Sequence, residues 1–318
     1  MDPAGLRLAP GMKALTYAAF GGSDRFTLTD VDDPHIGPDT IVVRVEAAGL
    51  NPVDYKIREG YLQGLIDTHL PAVPGWDVAG VVEKVGLDTP EFAVGDRVFA
   101  YARADVVRGG SVAEKMAVPV RTAAHIPDGV DATTAAAVPL AGLTALQAVE
   151  RSGLGDGDVV LVHGAAGGVG SFGVQLAKLR GARVIGTASE RNHDYLRSLG
   201  AEPVTYGDGL AERVRELAPE GVDVVLDFAG GASLDSTPAV LRDGGSVISI
   251  ADGRAATEFG GQSIWVRPDA AQLAELGRLV AAGDLRVEVA ATYPLDDAVA
   301  AYRSLEQGHT RGKIVVTA

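Results

Sequence analysis

An apolar, β-branched run, Asp158-Val159-Val160-Leu161-Val162-His163, gives way to Gly164-Ala165-Ala166-Gly167-Gly168-Val169-Gly170, and this stretch restricts the fold more than any other. The run has the character of a buried parallel strand. Beyond the glycines, Phe172, Val174, Leu176, Ala177 and Leu179 are spaced to form one apolar helix face. Strand, glycine turn and helix make the first half of a βαβ unit of the kind that binds a dinucleotide. A pyrophosphate there rests on the free N–H groups of the helix N-terminus, and side chains on the turn would hold it off. The candidate contacts are Ala165, Gly167, Gly168, Val169 and Gly170. The register is Ala165-x-Gly167-x-x-Gly170, with alanine in the place of the usual first glycine. A glycine turn after a strand can also serve helix–sheet packing alone. The context favours the nucleotide: a second apolar strand, Arg183 to Thr187, follows at the expected distance, and a third run, Val222 to Leu226, leads into Asp227.

Before this unit the chain has a different texture. Met1 to Gly11, with two prolines and two glycines, reads as a flexible leader. Ala14 to Tyr17, Phe26 to Val31 and Ile41 to Ala48 read as strands separated by prolines and glycines, the pattern of a compact β domain. Asn51 caps a predicted helix that has Pro52 in its first turn and ends at Gly60. Val81 to Val85, the segment after Gly95-Asp96-Arg97, and Gly109 to Val118 add strands. Ala132 to Ser152 is helical, broken near Pro139. A strand at Ser246 to Ile250 closes the nucleotide domain. A helix from Ala270 to Ala282 and a closing strand, Gly312-Lys313-Ile314-Val315-Val316, complete the chain. The expected architecture is α/β: a β-rich domain from 12–124 and 266–318, and a doubly wound parallel sheet from 125–265.

Composition excludes several functions. Of 318 residues, 28 are basic and 42 acidic, a net charge of −14 with no basic cluster, which argues against nucleic acid and anionic membrane surfaces. The chain has no cysteine, so disulfides, thiolate catalysis and sulfur-bound metal are ruled out. No apolar run approaches the ~20 residues needed to span a bilayer, and no secretory signal is visible. A cytoplasmic location is expected.

Asn-Pro-Val-Asp at 51–54, Pro-Gly-Trp-Asp-Val-Ala-Gly at 74–80, Gly-Asp-Arg-Val at 95–98, Gly-Leu-Thr-Ala at 142–145, the glycine loop and the final Gly-Lys-Ile-Val-Val occur in one order. In that order the chain resembles a medium-chain dehydrogenase/reductase of the zinc-independent quinone oxidoreductase type, from Met12 to Ala318. The resemblance implies a GroES-like catalytic domain, a Rossmann domain and an active site between them. Zinc-dependent relatives have cysteine at the place of Asn51 and a His-Glu pair at Trp76-Asp77. With those ligands gone and six scattered histidines, no zinc is expected.

The second strand of the nucleotide unit runs into Ala188, where an acidic residue would take the ribose hydroxyls of NADH. Ser189 and Arg191 follow, a hydroxyl and a paired-donor cation suited to a 2′-phosphate. Glu190 is the contrary sign. The resemblance adds Lys178 and Tyr206 as phosphate contacts and Thr144 beside the nicotinamide carboxamide. NADPH is the expected cofactor. Without a metal there is no Lewis acid to polarise an ordinary ketone, so the acceptor must already be electrophilic: a quinone or an α,β-unsaturated carbonyl. Donors to the developing oxyanion are sought among Asn51, Tyr55 and Lys56, of which Tyr55 and Lys56 point differently on one helix. An enoyl-thioester or polyketide enoyl reductase is the alternative enzyme, and an NADPH-binding structural or RNA-binding protein the alternative outside catalysis. Ser246 to Ile250 is apolar and uncharged. As the last strand it would present an unprotected edge, and pairing with its own copy predicts a homodimer.

Overall fold

The computed structural model describes residues 11–318, so the expected leader falls, but for Gly11, outside the described residues. Met12–Tyr17 (β1) and Phe26–Val31 (β2) pair antiparallel, followed by Thr40–Gly49 (β3). Helix α1 (Pro52–Arg58), β4 (Asp67–Thr68), β5 (Asp77–Val85), β6 (Arg97–Tyr101), β7 (Val106–Val107), β8 (Lys115–Pro119) and β9 (Ala123–His125) come next. The stretch 132–152, expected to break near Pro139, is two helices, α2 (Ala132–Ala136) and α3 (Pro139–Ser152), because Pro139 can open a helix but cannot continue one. Alternation then gives β10 (Val159–His163), α4 (Gly168–Leu179), β11 (Arg183–Thr187), α5 (His193–Ser198), β12 (Glu202–Val204), α6 (Leu210–Leu217) and β13 (Val222–Asp227). It continues with α7 (Thr237–Val240), β14 (Leu241–Ser249), α8 (Arg254–Thr257) and β15 (Gln262–Ser263). Helix α9 (Ala270–Ala282), β16 (Val289–Pro294), α10 (Ala298–Glu306) and β17 (Lys313–Thr317) end the chain.

The chain divides into two units. One takes the chain up to Leu140, with Pro268–Ala281 and Val289–Ala318; the other takes Ala141–Arg267 and Ala282–Glu288. Residues 125–140 thus fall in the first unit, not with the nucleotide-binding segment. The reason is local: β9 pairs with β6, and Gly49 in β3 lies under α2, where a Cβ would be 2.1 Å from the Ala136 carbonyl oxygen. In the first unit the strand order is β16-β17-β3-β5-β6-β9, with β8 also on β3. Strand β17 pairs antiparallel with β3, Val315 opposite Gly49 and Thr317 opposite Ala47, so β17 joins a sheet built mainly from residues 40–125.

In the second unit all strands are parallel, in the order β12-β11-β10-β13-β14-β15. Successive strands move outward from β10 in both directions, which makes the gap between β10 and β13 the switch point at which doubly wound sheets bind ligands. Its central strands β10, β11 and β13 are largely buried, including every residue of β13. The expected final strand, Ser246 to Ile250, differs in two ways. Strand β14 begins at Leu241, and Asp243-Gly244-Gly245 is an irregularity within it, between the Leu241 and Ser246 pairings. Nor is it the edge: Gln262 and Ser263 of β15 pair with Ile248 and Ser249. The fold supplies its own cover for the apolar strand.

Candidate functional site

Each unit holds one candidate site. In the second, β10 ends at His163 and Gly164 turns the chain with a φ of +66°, a conformation that favours glycine. Gly167 caps α4, whose first N–H groups, at Gly168, Val169 and Gly170, have no intrahelical acceptor. A Cβ at Gly170 would fall 2.1 Å from the Gly164 carbonyl oxygen, so glycine is required there. Gly167, Gly168 and Val169 are partly exposed, which leaves their backbone open to an anion. The alanine in the first-glycine place has a compensation. Ala165 is fully buried, and its methyl faces Gly186, where a Cβ would lie 3.0 Å away. The missing hydrogen-sized side chain at 165 has moved to the neighbouring strand.

Strand β11 is tied to this turn. The Gly164 N–H donates to Thr187 Oγ1 and the Ala165 N–H to the Thr187 carbonyl, both at 3.1 Å. Ser189 therefore follows directly beside the glycine turn. The Ala188 N–H donates to the Val204 carbonyl at 3.0 Å, which brings the ends of β11 and β12 together. Ser189, Arg191 and Tyr206 stand at those ends, Arg191 and Tyr206 exposed. Glu190 is exposed in the same short turn. Lys178 stands apart from these residues. It lies in the last turn of α4, about 15 Å along the axis from Gly168 at ~1.5 Å per residue. Its stem runs past Gly200, with carbons 3.4–3.6 Å from where a Cβ would be. Helix direction carries it away from the strand ends at which a phosphate would bind. Thr144 is buried on α3.

No linear pattern marks His163 or the clamp opposite it. His163 is fully buried, pairs in register with Asp227, and has no partner for either ring nitrogen among the described residues. Burial pushes its pKa down to about 4, against the pull of Asp227. Asp227 Oδ1 accepts from the Ala229 and Gly230 N–H groups and from Ser233 Oγ, while Oδ2 accepts from Ser249 Oγ at 2.6 Å. Ser249 Oγ in turn accepts the Ala251 and Asp252 N–H groups. The turns after β13 and β14 are thus fixed at the same end of the sheet as the glycine loop.

In the first unit Asn51 begins α1. Its N–H donates to Asp54 Oδ2 at 2.9 Å, as in a capping box. Its side chain turns elsewhere: Nδ2 donates to Asp77 Oδ2 at 2.9 Å and to the Gly49 carbonyl at 3.4 Å, and Oδ1 accepts from Lys313 Nζ. Lys313 also donates to the Leu50 carbonyl at 2.7 Å and stands 3.6 Å from Asp77 Oδ2. Asp77 Oδ1 accepts the Leu140 N–H at 2.9 Å. Asp54 accepts a 3.3 Å bond from the Tyr302 hydroxyl. All of these side chains are buried. Burial pushes Asp54 up to about 7 and Asp77 up to about 6, and pushes Lys313 down. Tyr55 is half-buried and Lys56 exposed. Burial, then Glu59 and Glu306, holds the Tyr55 phenol above its ordinary value, so it keeps its proton. Trp76 is a core residue, edge-on to Tyr101 with ring centroids 6.1 Å apart.

This donor set does not fit zinc. Asn51 Oδ1 and Asp77 are already engaged by an internal ammonium, and the described residues contain no group of three His, Cys, Asp or Glu placed for a metal.

The "Alcohol dehydrogenase GroES-like domain" family model matches residues 37–128, and that of "Zinc-binding dehydrogenase" matches 199–316. The chain is 36% identical to the NADPH-dependent alkenal/one oxidoreductase, chloroplastic, of Arabidopsis thaliana, over 96% of its own length and 79% of the relative's. It is 32% identical to the quinone oxidoreductase of Pseudomonas aeruginosa, covering 96% and 99%. Among solved structures, the quinone oxidoreductase from Coxiella burnetii superposes with a TM-score of 0.84 at 33% identity, covering 96% and 99%. Fold, glycine loop and these likenesses together define a dinucleotide-dependent oxidoreductase: the chain belongs to the medium-chain dehydrogenase/reductase superfamily, in its quinone oxidoreductase-like family.

Proposed function

We propose that this protein is an NADPH-dependent oxidoreductase that delivers hydride to a quinone or an α,β-unsaturated carbonyl without zinc. The reading is carried by two features of one chain: an open glycine loop in the second unit and, in the first, a non-metal polar cluster, Asn51–Asp77–Lys313. The free N–H groups at Gly168–Gly170 suit the pyrophosphate. Ser189, Arg191 and Tyr206 suit the 2′-phosphate end, and the buried Thr144 is assigned to the carboxamide end. Bound there, NADPH would supply hydride from its nicotinamide ring.

With no Lewis acid, the acceptor must bring its own electrophilicity. Hydride addition to the β-carbon of an enone, or to a quinone, leaves negative charge on oxygen. That charge needs a donor and then a proton. Both donors on the Asn51 amide nitrogen are taken by Asp77 and Gly49, so Asn51 is assigned an orienting role. The Tyr55 phenol is assigned the proton donor's role. One hydride and one proton then convert enone to saturated carbonyl, or quinone to hydroquinone.

The test is NADPH oxidation measured across quinones, enones and enoyl thioesters, with and without chelator. Turnover of a quinone or enone that survives chelator is expected. Turnover confined to enoyl thioesters would favour the enoyl reductase, and no turnover on any of them a binding protein. Chelator-sensitive turnover restored by zinc would refute metal independence.

The net charge of −14 weighs against binding to nucleic acid or an anionic membrane, and a cytoplasmic location is part of the proposal. No helix among the described residues is long and apolar enough to cross a membrane. A homodimer remains part of the proposal, but its edge would be β15, the exposed Gln262–Ser263, not Ser246–Ile250. Light scattering across a dilution series is the measurement. A mass near 65 kDa, twice the chain's 32.7 kDa, is expected, and a monomer mass at micromolar concentration would rule the dimer out.

A further inference from the structure

Lys313 is a buried lysine at the head of a strand. Its side chain is 5% exposed, and the three protein oxygens around its Nζ come from separate places in the chain: Leu50 O, Asn51 Oδ1 and Asp77 Oδ2. An ammonium has three donors and no acceptor, so three converging oxygens satisfy it. A buried ammonium is tolerated only when paired and hydrogen-bonded in this way.

The amide of Asn51 shows what the ammonium accomplishes. Between a carboxylate on one side and a cation on the other, only one of the two amide orientations is allowed. Oδ1 faces Lys313 and Nδ2 faces Asp77. Without the cation, Oδ1 would be a buried acceptor with nothing to accept, and Asp77 would lose its nearest counter-charge. Asn51 is the residue from which α1 starts, and Asp54, one turn in, is bonded to the Asn51 N–H. The same helix carries Tyr55. The chain of contacts therefore runs from β17, through the ammonium, to the start of the helix that presents the phenol.

We propose that Lys313 is a positioning residue: its tethered ammonium, held by Leu50 O, Asn51 Oδ1 and Asp77, fixes the first turn of α1 and with it Tyr55. The catalytic consequence rests on the function proposed above; the structural one does not. Truncation at Lys313→Ala removes three methylenes and the ammonium, a volume and charge that n-propylammonium matches.

The experiment uses the full chain and has two readouts. The first is amide hydrogen exchange over residues 51–60, which needs no substrate. Exchange there is expected to rise at least tenfold in Lys313→Ala and to return toward wild type, saturably, with n-propylammonium. Tetramethylammonium at equal ionic strength, which has no N–H donor, should not restore it. The second is turnover with saturating NADPH: kcat is expected to fall at least tenfold with the Kd for NADPH unchanged, since the glycine loop, Ser189 and Arg191 belong to the other unit. Lys313→Met, which keeps the volume and removes the charge, covers the case in which the alanine variant does not fold, and should show the same exchange and kcat defects. Wild-type exchange over 51–60 in Lys313→Met, or exchange in Lys313→Ala restored equally by tetramethylammonium, would overturn the proposal. An inactive wild-type protein would count against the proposed reaction alone, because the exchange readout would still decide the role of Lys313.

Discussion

At the scale of single residues, cofactor choice comes down to what stands after β11. Arg191 is exposed in the short turn after β11, which also carries Ser189 and Glu190. A 2′-phosphate would be its partner. Arg191→Ala is expected to weaken NADPH binding by about 1.5–3 kcal/mol, the worth of a charge-assisted contact, and to leave NADH binding nearly unchanged. Titration of both cofactors by fluorescence checks this, and equal losses would move the specificity to Glu190. Residue types of this kind can be read from the sequence, and their role at a 2′-phosphate is part of the proposal. The glycine loop can be read there too, but not the reason that alanine is allowed at 165, since Gly186 becomes its neighbour only when two strands pair. Lys178 shows the opposite case. The residue type suits a phosphate, but the direction of α4 does not.

At the scale of elements, α1 decides which donor can act. Asp54, Ile57 and Arg58 are its buried residues, at the i, i+3, i+4 spacing of one helix face. Tyr55 flanks that face and is half-buried, whereas Lys56 is exposed. Tyr55→Phe is therefore expected to lower kcat about a hundredfold, the low end for loss of a general acid, with the KM for NADPH unchanged. Lys56→Met should stay within about threefold of wild type. The reverse pattern in steady-state kinetics would transfer the proton donor to Lys56. Period and punctuation made most elements legible: β2 and α9 match their expected bounds, and Pro139 divides two helices. What could not be read was pairing at a distance. Gly-Lys-Ile-Val-Val announces an apolar strand, but nothing linear shows that its lysine meets Asn51 and Asp77. Likewise β15, two polar residues without a hydrophobic pattern, gives no warning that it covers β14.

At the scale of the whole molecule, an acidic chain holds two buried carboxyl groups whose protons bind more tightly when folded than when unfolded. Asp54 is pushed up to about 7, first by burial and further by Asp77, against the Asn51 N–H, Lys313 and Tyr302. Asp77 is pushed up to about 6 by burial, against Lys313, Asn51 and the Leu140 N–H. An unfolded aspartate titrates near ~3.9. The stability these two groups contribute is therefore fully present below about pH 4 and is lost as pH rises through 6 and 7. At about 1.4 kcal/mol per pKa unit, the loss from Asp54 is of the order of a few kcal/mol. His163 works in the opposite sense. Its pKa is depressed to about 4, so its contribution is present above ~6.5 and is lost as pH falls through 4. The wild-type profile alone would mix the two. Asp54→Asn separates them, because the amide oxygen can still accept the Asn51 N–H while the titrating proton is gone. Its Tm relative to wild type is expected to climb between pH 5 and pH 8, with the variant overtaking wild type above about pH 7. Thermal unfolding followed by circular dichroism at matched ionic strength gives the comparison. Parallel Tm profiles for the two proteins would show that Asp54 does not hold a proton in the folded state.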